Sequence, residues 1–430
     1  MMYLEEIQVA AGNPEALETL YRSACRAKEE ARFRDAILAC YERSPDNVLY
    51  AAWTYRLQDS DQERGRAVNW KLAAPLSVVL GVIFWVLSGN RFELPDHTPY
   101  LAMAWAPIAT CFVIAFLAIT SGKHTRRAVA LGACLVVALL YASFFVVLRR
   151  REYYPLLMIL HLPLLAWIGC GIYVLGWGSA SRDRFAFVIK SIEVFISGGL
   201  YVGVGGAFAG ITIGMFEALG ISLPDVVVRL LFAGGFGLIP VLAIASVYDP
   251  QTTPIAQTFR QGLSKIISTL MRLMLPLTLL VLVVYLGVIP FNFMEPFRNR
   301  DVLIVYNVML FAVMGLLIGA TPVKETDLEQ RHHRILRAGI VVVAILAVVV
   351  SLYALSATVC RTVLGGFTVN RLAVVGWNSI NISLLVLLVY RQFQCEAELW
   401  IRSLQTVYAW GMTAYAVWAM FLLLAIPLLF

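Results

Sequence analysis

Five polar residues lie within or beside long apolar stretches of this 430-residue sequence: Lys190, Glu193, Asn307, Asn378 and Asn381. A charge inside a bilayer is costly unless it is paired, and such residues commonly line the path of a transported substrate. Lys190 and Glu193 are three residues apart, so on a helix they can pair with each other. Asparagines in lipid also join neighbouring helices. Two interpretations stay open: a polar substrate site within the membrane, and structural pairing between helices.

A second candidate site is the loop that runs from residue 361 to 371. Its glycine pair, Gly365-Gly366, permits a tight reversal, because glycine adopts positive φ without steric cost. Thr368 is well placed to cap the following helix, and a helix N-terminus favours anions. The loop is therefore a candidate site for an anionic lipid headgroup or a phosphorylated ligand; the alternative is a capped turn whose arginines extend to headgroups. The candidate residues are Arg361, Thr368, Asn370 and Arg371.

The same loop resembles the R-[IV]-x-x-Y-G-[LI]-T-x-N-R signature of a bacterial membrane family called domain of unknown function 4153. The matching positions are Arg361, Gly366, Thr368, Asn370 and Arg371. Gly365 stands where the family usually has Tyr, and Leu372 stands where an aromatic residue often follows. The resemblance covers roughly residues 260–390. It implies a polytopic bacterial membrane protein and no particular activity.

The composition predicts the fold class. Apolar residues make up 60% of the chain and charged residues 14%, whereas soluble domains have roughly 45–50% and about 25%. This composition also excludes a disordered chain. Apolar stretches of about 20 residues, the length that crosses a bilayer, recur after residue 72. They lie near 72–89, 100–120, 128–148, 155–177, 196–217, 226–248, 268–289, 302–320, 338–360, 372–390 and 406–428. We therefore expect an all-α, polytopic transmembrane bundle of about 11 spans.

Glycines mark the fifth apolar stretch at close intervals. They are Gly199, Gly203, Gly206, Gly210 and Gly214, and the spacing includes three steps of four residues. Small residues at this spacing let two membrane helices approach closely. The pattern is compatible with close packing inside one chain, with a homodimer face, or with a helix that breaks to line a substrate site.

The region before that stretch carries charges on one helix face. Residues 182–217 are too many for a single span. The polar positions are spaced by seven, three and four residues, which places them on one side of a helix. They are Asp183, Lys190, Glu193 and Ser197. We expect an amphipathic helix lying in the inner membrane interface, with the span proper beginning near Ile196.

Residues 1–71 differ in composition from residues 72–430 and predict a small cytoplasmic helical domain. Asn13-Pro14 is typical of a helix start, and a further helix is expected from about Glu30 to Arg43. A protein partner of residues 1–66 is an open alternative. Its expected aromatic anchors are Tyr50, Trp53 and Tyr55.

The basic residues predict the orientation. With the N-terminus inside, ten Lys and Arg fall in the N-terminal domain, fifteen at inside loops and nine outside. This satisfies the positive-inside rule and favours contact with anionic headgroups. The resemblance to domain of unknown function 4153 implies a bacterial inner-membrane location. The triple Arg149–Arg151 is the exception, since it falls outside. The start of the chain is acidic and does not read as a cleavable signal peptide.

Motifs for catalysis or a metal are not visible. The seven cysteines and five histidines are scattered, and no protease, nucleophile-elbow or phosphate-loop motif occurs. We therefore expect no enzyme activity, no cofactor and no nucleic-acid partner. The leading hypothesis is a transporter for a small solute or lipid, which predicts a polar cavity that reaches Glu193, Asn307 or Asn378. The alternative is a sensor, adaptor or assembly scaffold that acts through the N-terminal domain.

Overall fold

The computed structural model describes residues 2–27, 29–63, 68–89, 91–94, 98–148, 154–259, 262–325 and 330–429. The described residues are 85% helical and form no β-strand, which confirms the predicted all-α class. The chain divides into two units, Met1–Ala67 and Val68–Phe430. The arginine triple 149–151, the exception to the predicted orientation, lies outside the described residues.

The first unit contains four helices: α1 Met2–Val9, α2 Pro14–Ala27, α3 Glu30–Arg43 and α4 Val48–Glu63. Asn13 caps α2 as expected, because its Oδ1 accepts hydrogen bonds from the amides of Glu15 and Ala16 at 3.1 and 3.2 Å. Asn47 caps α4 in the same way and also donates to the carbonyl of Ala11.

An aromatic core holds these four helices together. Trp53 packs edge-on against Phe33 and Tyr21, and it is buried. Tyr50 is buried as well and donates to the carbonyl of Ile7. Of the three aromatic side chains expected to anchor a protein partner, Tyr50 and Trp53 therefore belong to the core. Tyr55 alone is exposed.

The second unit contains eleven helices, among the described residues, that are long and apolar enough to cross a membrane, which agrees with the predicted number. They are α5 Trp70–Leu87, α6 Leu101–Ser121, α7 Thr125–Val147, α8 Tyr154–Leu175, α9 Ser181–Ala218, α10 Asp225–Val247, α11 Gly262–Asn292, α12 Asp301–Ala320, α13 His332–Gly365, α14 Val369–Gln394 and α15 Trp400–Leu429. Their length and composition suit the hydrocarbon thickness of a bilayer.

Two apolar cores define two lobes among these helices, and a third core joins the lobes where α6, α7 and α8 meet α14 and α15. The first lobe is α5–α8 with α10, and its core includes Leu80, Phe116 and Val241. The second lobe is α11–α15, and its core includes Leu317 and Leu404. Helix α9 contacts both lobes, since its first turns contribute to the second core while its middle lies beside α10.

Helix α9 corrects one prediction. It is continuous from Ser181 to Ala218, with no separate interfacial segment before a span. Phe185, Lys190 and Glu193 are all buried against neighbouring helices. The charged face that resembled an amphipathic surface helix points into protein, where the charges pair with each other.

Glycines bring α5 and α10 into close contact. A Cβ added at Gly237 would lie 2.7 Å from the Cα of Gly81, so no larger residue fits there without a backbone shift. The five glycines predicted to pack α9 behave differently, because a Cβ at each would meet no atom within 4 Å. These are Gly199, Gly203, Gly206, Gly210 and Gly214. Among the described residues these positions show no close packing, and the homodimer face stays a prediction.

Candidate functional site

An apolar cavity of about 750 Å³ lies between α5, α6, α8, α9 and α10. Small residues leave this space: α6 contributes Ala102, Ala106 and Ala109 at helical spacing, and α9 contributes Gly198 and Gly199. The remaining wall is mostly aliphatic and aromatic. The volume lies within the range of roughly 300–1,000 Å³ that is usual for ligand pockets.

The cavity extends along the length of the helices. Ser88 and Pro99 line it where α5 ends and α6 begins. Val174 and Tyr248 line it at the opposite end of the bundle, where α8 and α10 end. The second of these ends is the predicted cytoplasmic end, and we use that name for it below.

A smaller, polar pocket of about 270 Å³ adjoins the cavity at the predicted cytoplasmic end. The two share Val174 and Tyr248 as wall residues. The polar side chains of the pocket come from the last turns of α6 and α8, from the loops after α6, α8 and α10, and from the first turn of α9. They are Ser121, Lys123, His124, Tyr173, Ser179, Asp183, Gln251, Thr252 and Thr253. An apolar cavity and a polar pocket thus share part of their walls.

Two glutamines fix the loop after α10, which forms one wall of the polar pocket. Gln251 donates from Nε2 to the carbonyl of Thr120 at 2.8 Å, tying the loop to α6. Gln257 is buried; its Nε2 donates to the Asp249 carbonyl and to Thr252 Oγ1, and its Oε1 accepts from the Asp249 amide. These bonds satisfy backbone groups that would otherwise be buried without partners.

Asp183 and Tyr248 both line the polar pocket, and Tyr248 also lines the apolar cavity. Oδ1 of Asp183 accepts one hydrogen bond from the amide of Ile255 at 3.3 Å. Burial, followed by neighbouring negative groups that include Asp183, raises the pKa of Tyr248 above its ordinary value. Tyr248 therefore keeps its proton at neutral pH and is a hydrogen-bond donor. The half-buried Asp183 contributes an acceptor carboxylate to the pocket wall.

Lys190 and Glu193 form a buried ion pair beside the apolar cavity. Lys190 Nζ lies 2.6 Å from Oε2 of Glu193, and both side chains are about nine-tenths buried or more. Ser264 of α11 donates to the same Oε2, and its Oγ lies 3.4 Å from Lys190 Nζ. The ammonium also sits 5.0 Å from the centre of the Phe259 ring. This pairing joins α9 to α11, while Lys190 contributes to the cavity wall.

The three asparagines form a different group, in the second lobe. Asn378 donates to Oδ1 of Asn307 at 2.7 Å, which joins α14 to α12. Asn381 accepts a hydrogen bond from the hydroxyl of Tyr415 on α15. Neither the apolar cavity nor the polar pocket includes these asparagines. The predicted polar site is therefore split, and its asparagine half joins helices, as the structural interpretation expected.

His161 and Trp377 connect the two lobes near this group. Trp377 donates from its indole nitrogen to Nε2 of His161 at 3.0 Å. The other ring nitrogen of His161 lies 2.7 Å from the carbonyl of Leu157, so it carries the proton that is donated there. Both imidazole nitrogens thus have partners within the bundle.

The loop between α13 and α14 has the capped turn that its sequence indicates. Gly366 has a φ of 81° and Thr368 accepts a hydrogen bond from the amide of Arg371. Arg371 donates from its guanidinium to the carbonyl of Gly366 at 2.5 Å, so it braces the turn. Nη1 of Arg361 is buried and makes no hydrogen bond. The structure gives no contact between the two arginines of the expected clamp, and anion binding by Arg361, Thr368, Asn370 and Arg371 stays a prediction.

Sequence reasoning missed most of the two cavities. It singled out Lys190 but not the pocket residues Asp183 and Gln251 as ligand groups, nor Tyr248 between them. One signal was available: alanines at positions 102, 106 and 109 form a strip of small residues on one face of α6. Sequence analysis expected a polar cavity that reaches Glu193, Asn307 or Asn378; the cavity described above is apolar and lies between the first, second, fourth, fifth and sixth spans.

No protein-family model matches the chain, and comparisons with curated proteins and with solved structures found no similarity. The resemblance to domain of unknown function 4153 therefore stays a prediction that rests on one loop. Among the described residues, no group of three or more His, Cys, Asp or Glu is arranged to hold a metal ion. The geometry of the two cavities is thus the main guide to function.

Proposed function

We propose that this chain is a membrane protein that binds and transports a lipid or a similar amphiphile. The observation that carries the proposal is the apolar cavity of about 750 Å³ in the first lobe, which runs along the helices from Pro99 to Tyr248. Apolar walls favour a hydrocarbon chain, whereas a small polar solute would lose its hydration there without gaining hydrogen bonds.

The polar residues of the second lobe support the same choice. A transporter for a small polar solute would use intramembrane polar groups that face open space. Asn307 and Asn378 bond to each other instead, and the cavity does not include them. Lys190 is a charged group on the cavity wall, and Glu193 already neutralises it.

The alternative function, a sensor or scaffold acting through the N-terminal unit, has no comparable observation in its favour. The aromatic pair expected to anchor a partner, Tyr50 and Trp53, is used in the core of that unit. Tyr55 alone remains as an exposed aromatic anchor.

The direct test is lipid exchange between leaflets in vesicles that contain the full chain. A phospholipid with a fluorescent group is placed in both leaflets, and a membrane-impermeant reductant then measures how fast inner-leaflet lipid becomes accessible. We expect faster exchange than in protein-free vesicles. Gly199→Trp should remove most of the acceleration, because the indole would occupy the cavity at a position where a Cβ meets no atom.

Gly210→Trp is the matched control. It lies on the same helix, a Cβ there also meets no atom within 4 Å, and it does not line the cavity. This variant should exchange lipid as fast as the unaltered chain. Exchange no faster than in protein-free vesicles, or equal slowing by both tryptophans, would contradict the proposal.

A further inference from the structure

The apolar cavity and the polar pocket adjoin each other and differ in chemistry. Val174 and Tyr248 belong to both walls, and on α6 the cavity residue Val113 lies one turn before the pocket residue Leu117. An amphiphile has the same division, with a hydrocarbon chain joined to a polar headgroup. A lipid whose chain lies in the cavity would place its headgroup in the pocket at the predicted cytoplasmic end.

We propose that the polar pocket recognises a zwitterionic headgroup that carries a primary ammonium and a phosphate, and so selects the lipid. This inference rests on the proposed function, since it assumes that a lipid chain occupies the cavity. It adds the headgroup class, which the apolar cavity cannot determine.

The charges on the pocket wall support this class. Lys123 is the cationic residue of the wall and Asp183 the anionic one, so their formal charges cancel. A zwitterion matches both signs, with its phosphate near Lys123 and its ammonium near Asp183.

The acceptors around Asp183 favour a primary ammonium in particular. A primary ammonium has three N–H donors, whereas a trimethylated ammonium has none. Among the described residues, Oδ1 of Asp183 accepts the backbone amide of Ile255, and its other oxygen accepts no hydrogen bond. Thr253 lines the same pocket and contributes a hydroxyl oxygen, which can also accept hydrogen bonds. The pocket wall thus offers more than one oxygen to the donors of one ammonium group.

Lys123 and His124 are on the exposed side of the pocket and suit a phosphate. Lys123 is exposed, and the chain reverses there with Gly122 and His124 both at positive φ. The hydroxyl of Tyr173 donates to the carbonyl of Lys123 at 3.2 Å, which holds the backbone of this turn against α8. The lysine side chain stays at the mouth of the pocket, where a phosphate remains partly hydrated.

The experiment uses phospholipid probes with a photoactivatable diazirine in the acyl chain, added to the full-length protein in detergent micelles. Three probes share the same chains and differ in the headgroup: ethanolamine, choline or glycerol. A diacylglycerol probe without a phosphate headgroup reports chain binding alone. Labelling is counted only at buried cavity residues such as Ala109 and Ala243.

We expect the ethanolamine probe to label these residues more than the choline and glycerol probes. Asp183→Asn keeps an acceptor for the Ile255 amide and removes the charge. It should lower ethanolamine labelling about tenfold, as expected for the loss of one hydrogen bond to a charged group, and leave diacylglycerol labelling unchanged. Glu217→Gln is the matched control, an exposed carboxylate at the other end of α9 that should have no effect.

The outcomes separate the two proposals. Equal labelling by the three phospholipids, stronger labelling by the glycerol probe, or no response to Asp183→Asn would overturn the headgroup assignment while diacylglycerol labelling persists. An absence of labelling at Ala109 and Ala243 by every probe would instead overturn lipid binding in the cavity itself.

Discussion

The two lobes of the membrane unit differ in how their polar side chains are arranged. In the second lobe, Asn378 and Asn307 bond to each other and Asn381 accepts from Tyr415, so polar side chains join helices. In the first lobe, an apolar cavity is left open and its polar groups are gathered in a pocket at one end. Polar residues in lipid thus indicate a ligand site only where they adjoin open space, which sequence alone does not reveal.

The buried ion pair between the lobes should give the largest effect on stability. Glu193→Ala leaves the ammonium of Lys190 buried without its partner at 2.6 Å, which we expect to cost about 3–5 kcal/mol. Thermal unfolding, followed by the fraction of protein that stays monodisperse on gel filtration, measures it. The double variant Lys190→Met with Glu193→Leu removes both charges and should recover most of the loss. A double variant as unstable as Glu193→Ala would show that lost packing, not the unpaired charge, sets the cost.

The close contact of α5 with α10 should give the next largest effect. Gly237→Ala forces a Cβ to within 2.7 Å of Gly81 and 2.9 Å of the Leu80 carbonyl. We expect a destabilisation of about 1–3 kcal/mol, typical of overpacking. The control is Gly203→Ala on α9, where a Cβ meets no atom within 4 Å and stability should change by no more than about 0.5 kcal/mol. Equal losses of stability in Gly237→Ala and Gly203→Ala would mean that α9 is itself packed against another molecule.

The asparagine pair of the second lobe should contribute less. Asn378→Leu removes the bond to Asn307, and hydrogen bonds between membrane helices are worth about 0.6 kcal/mol on average and rarely more than about 1.7 kcal/mol. A double-mutant cycle with Asn307→Leu measures the coupling. Lipid exchange by these variants should equal that of the unaltered chain. Slower lipid exchange by a variant of normal stability would indicate that the asparagines belong to the transport site.

The smallest effect concerns acid sensitivity in the N-terminal unit. Hydrogen bonds from Arg56 and then Arg22 lower the pKa of Glu18 below its ordinary 4.5. A lowered folded pKa stabilises the unit above the unfolded value, and this stabilisation is lost as the pH falls through the folded value. The protection of α2 and α4 amides against hydrogen exchange in the full chain, taken relative to the intrinsic exchange rate at each pH, should therefore fall on acidification more in the unaltered protein than in Glu18→Gln. The same fall in both would exclude this contribution.

The sequence was sufficient for the architecture because hydrocarbon thickness and apolar length are directly related. It predicted eleven spans, and eleven helices of suitable length and composition are observed. The Asn13 cap and the Thr368 cap follow from local geometry, so they could be predicted as well. The order of the helices in space could not be predicted, because every span presents apolar residues to both protein and lipid.

The errors have the same origin. Charges at positions 183, 190 and 193 share a helix face whether that face meets water, lipid headgroups or protein, and the sequence pattern does not separate these cases. The five spaced glycines of α9, from Gly199 to Gly214, have the spacing of a packing motif, and yet a Cβ added at each would meet no atom within 4 Å. The cavity depends on which small residues face each other across five helices, which periodicity within one helix does not encode.

The most direct test of the account is residue-level mapping of a photoactivatable phospholipid on the detergent-purified chain. The account predicts label on inward-facing cavity residues of the first lobe, such as Ala106, Ala109 and Ala243, and its loss in Gly199→Trp but not in Gly210→Trp. It predicts no label on the buried asparagines of the second lobe. Label confined to exposed helix faces, or unchanged by Gly199→Trp, would contradict the claim that the cavity holds a lipid.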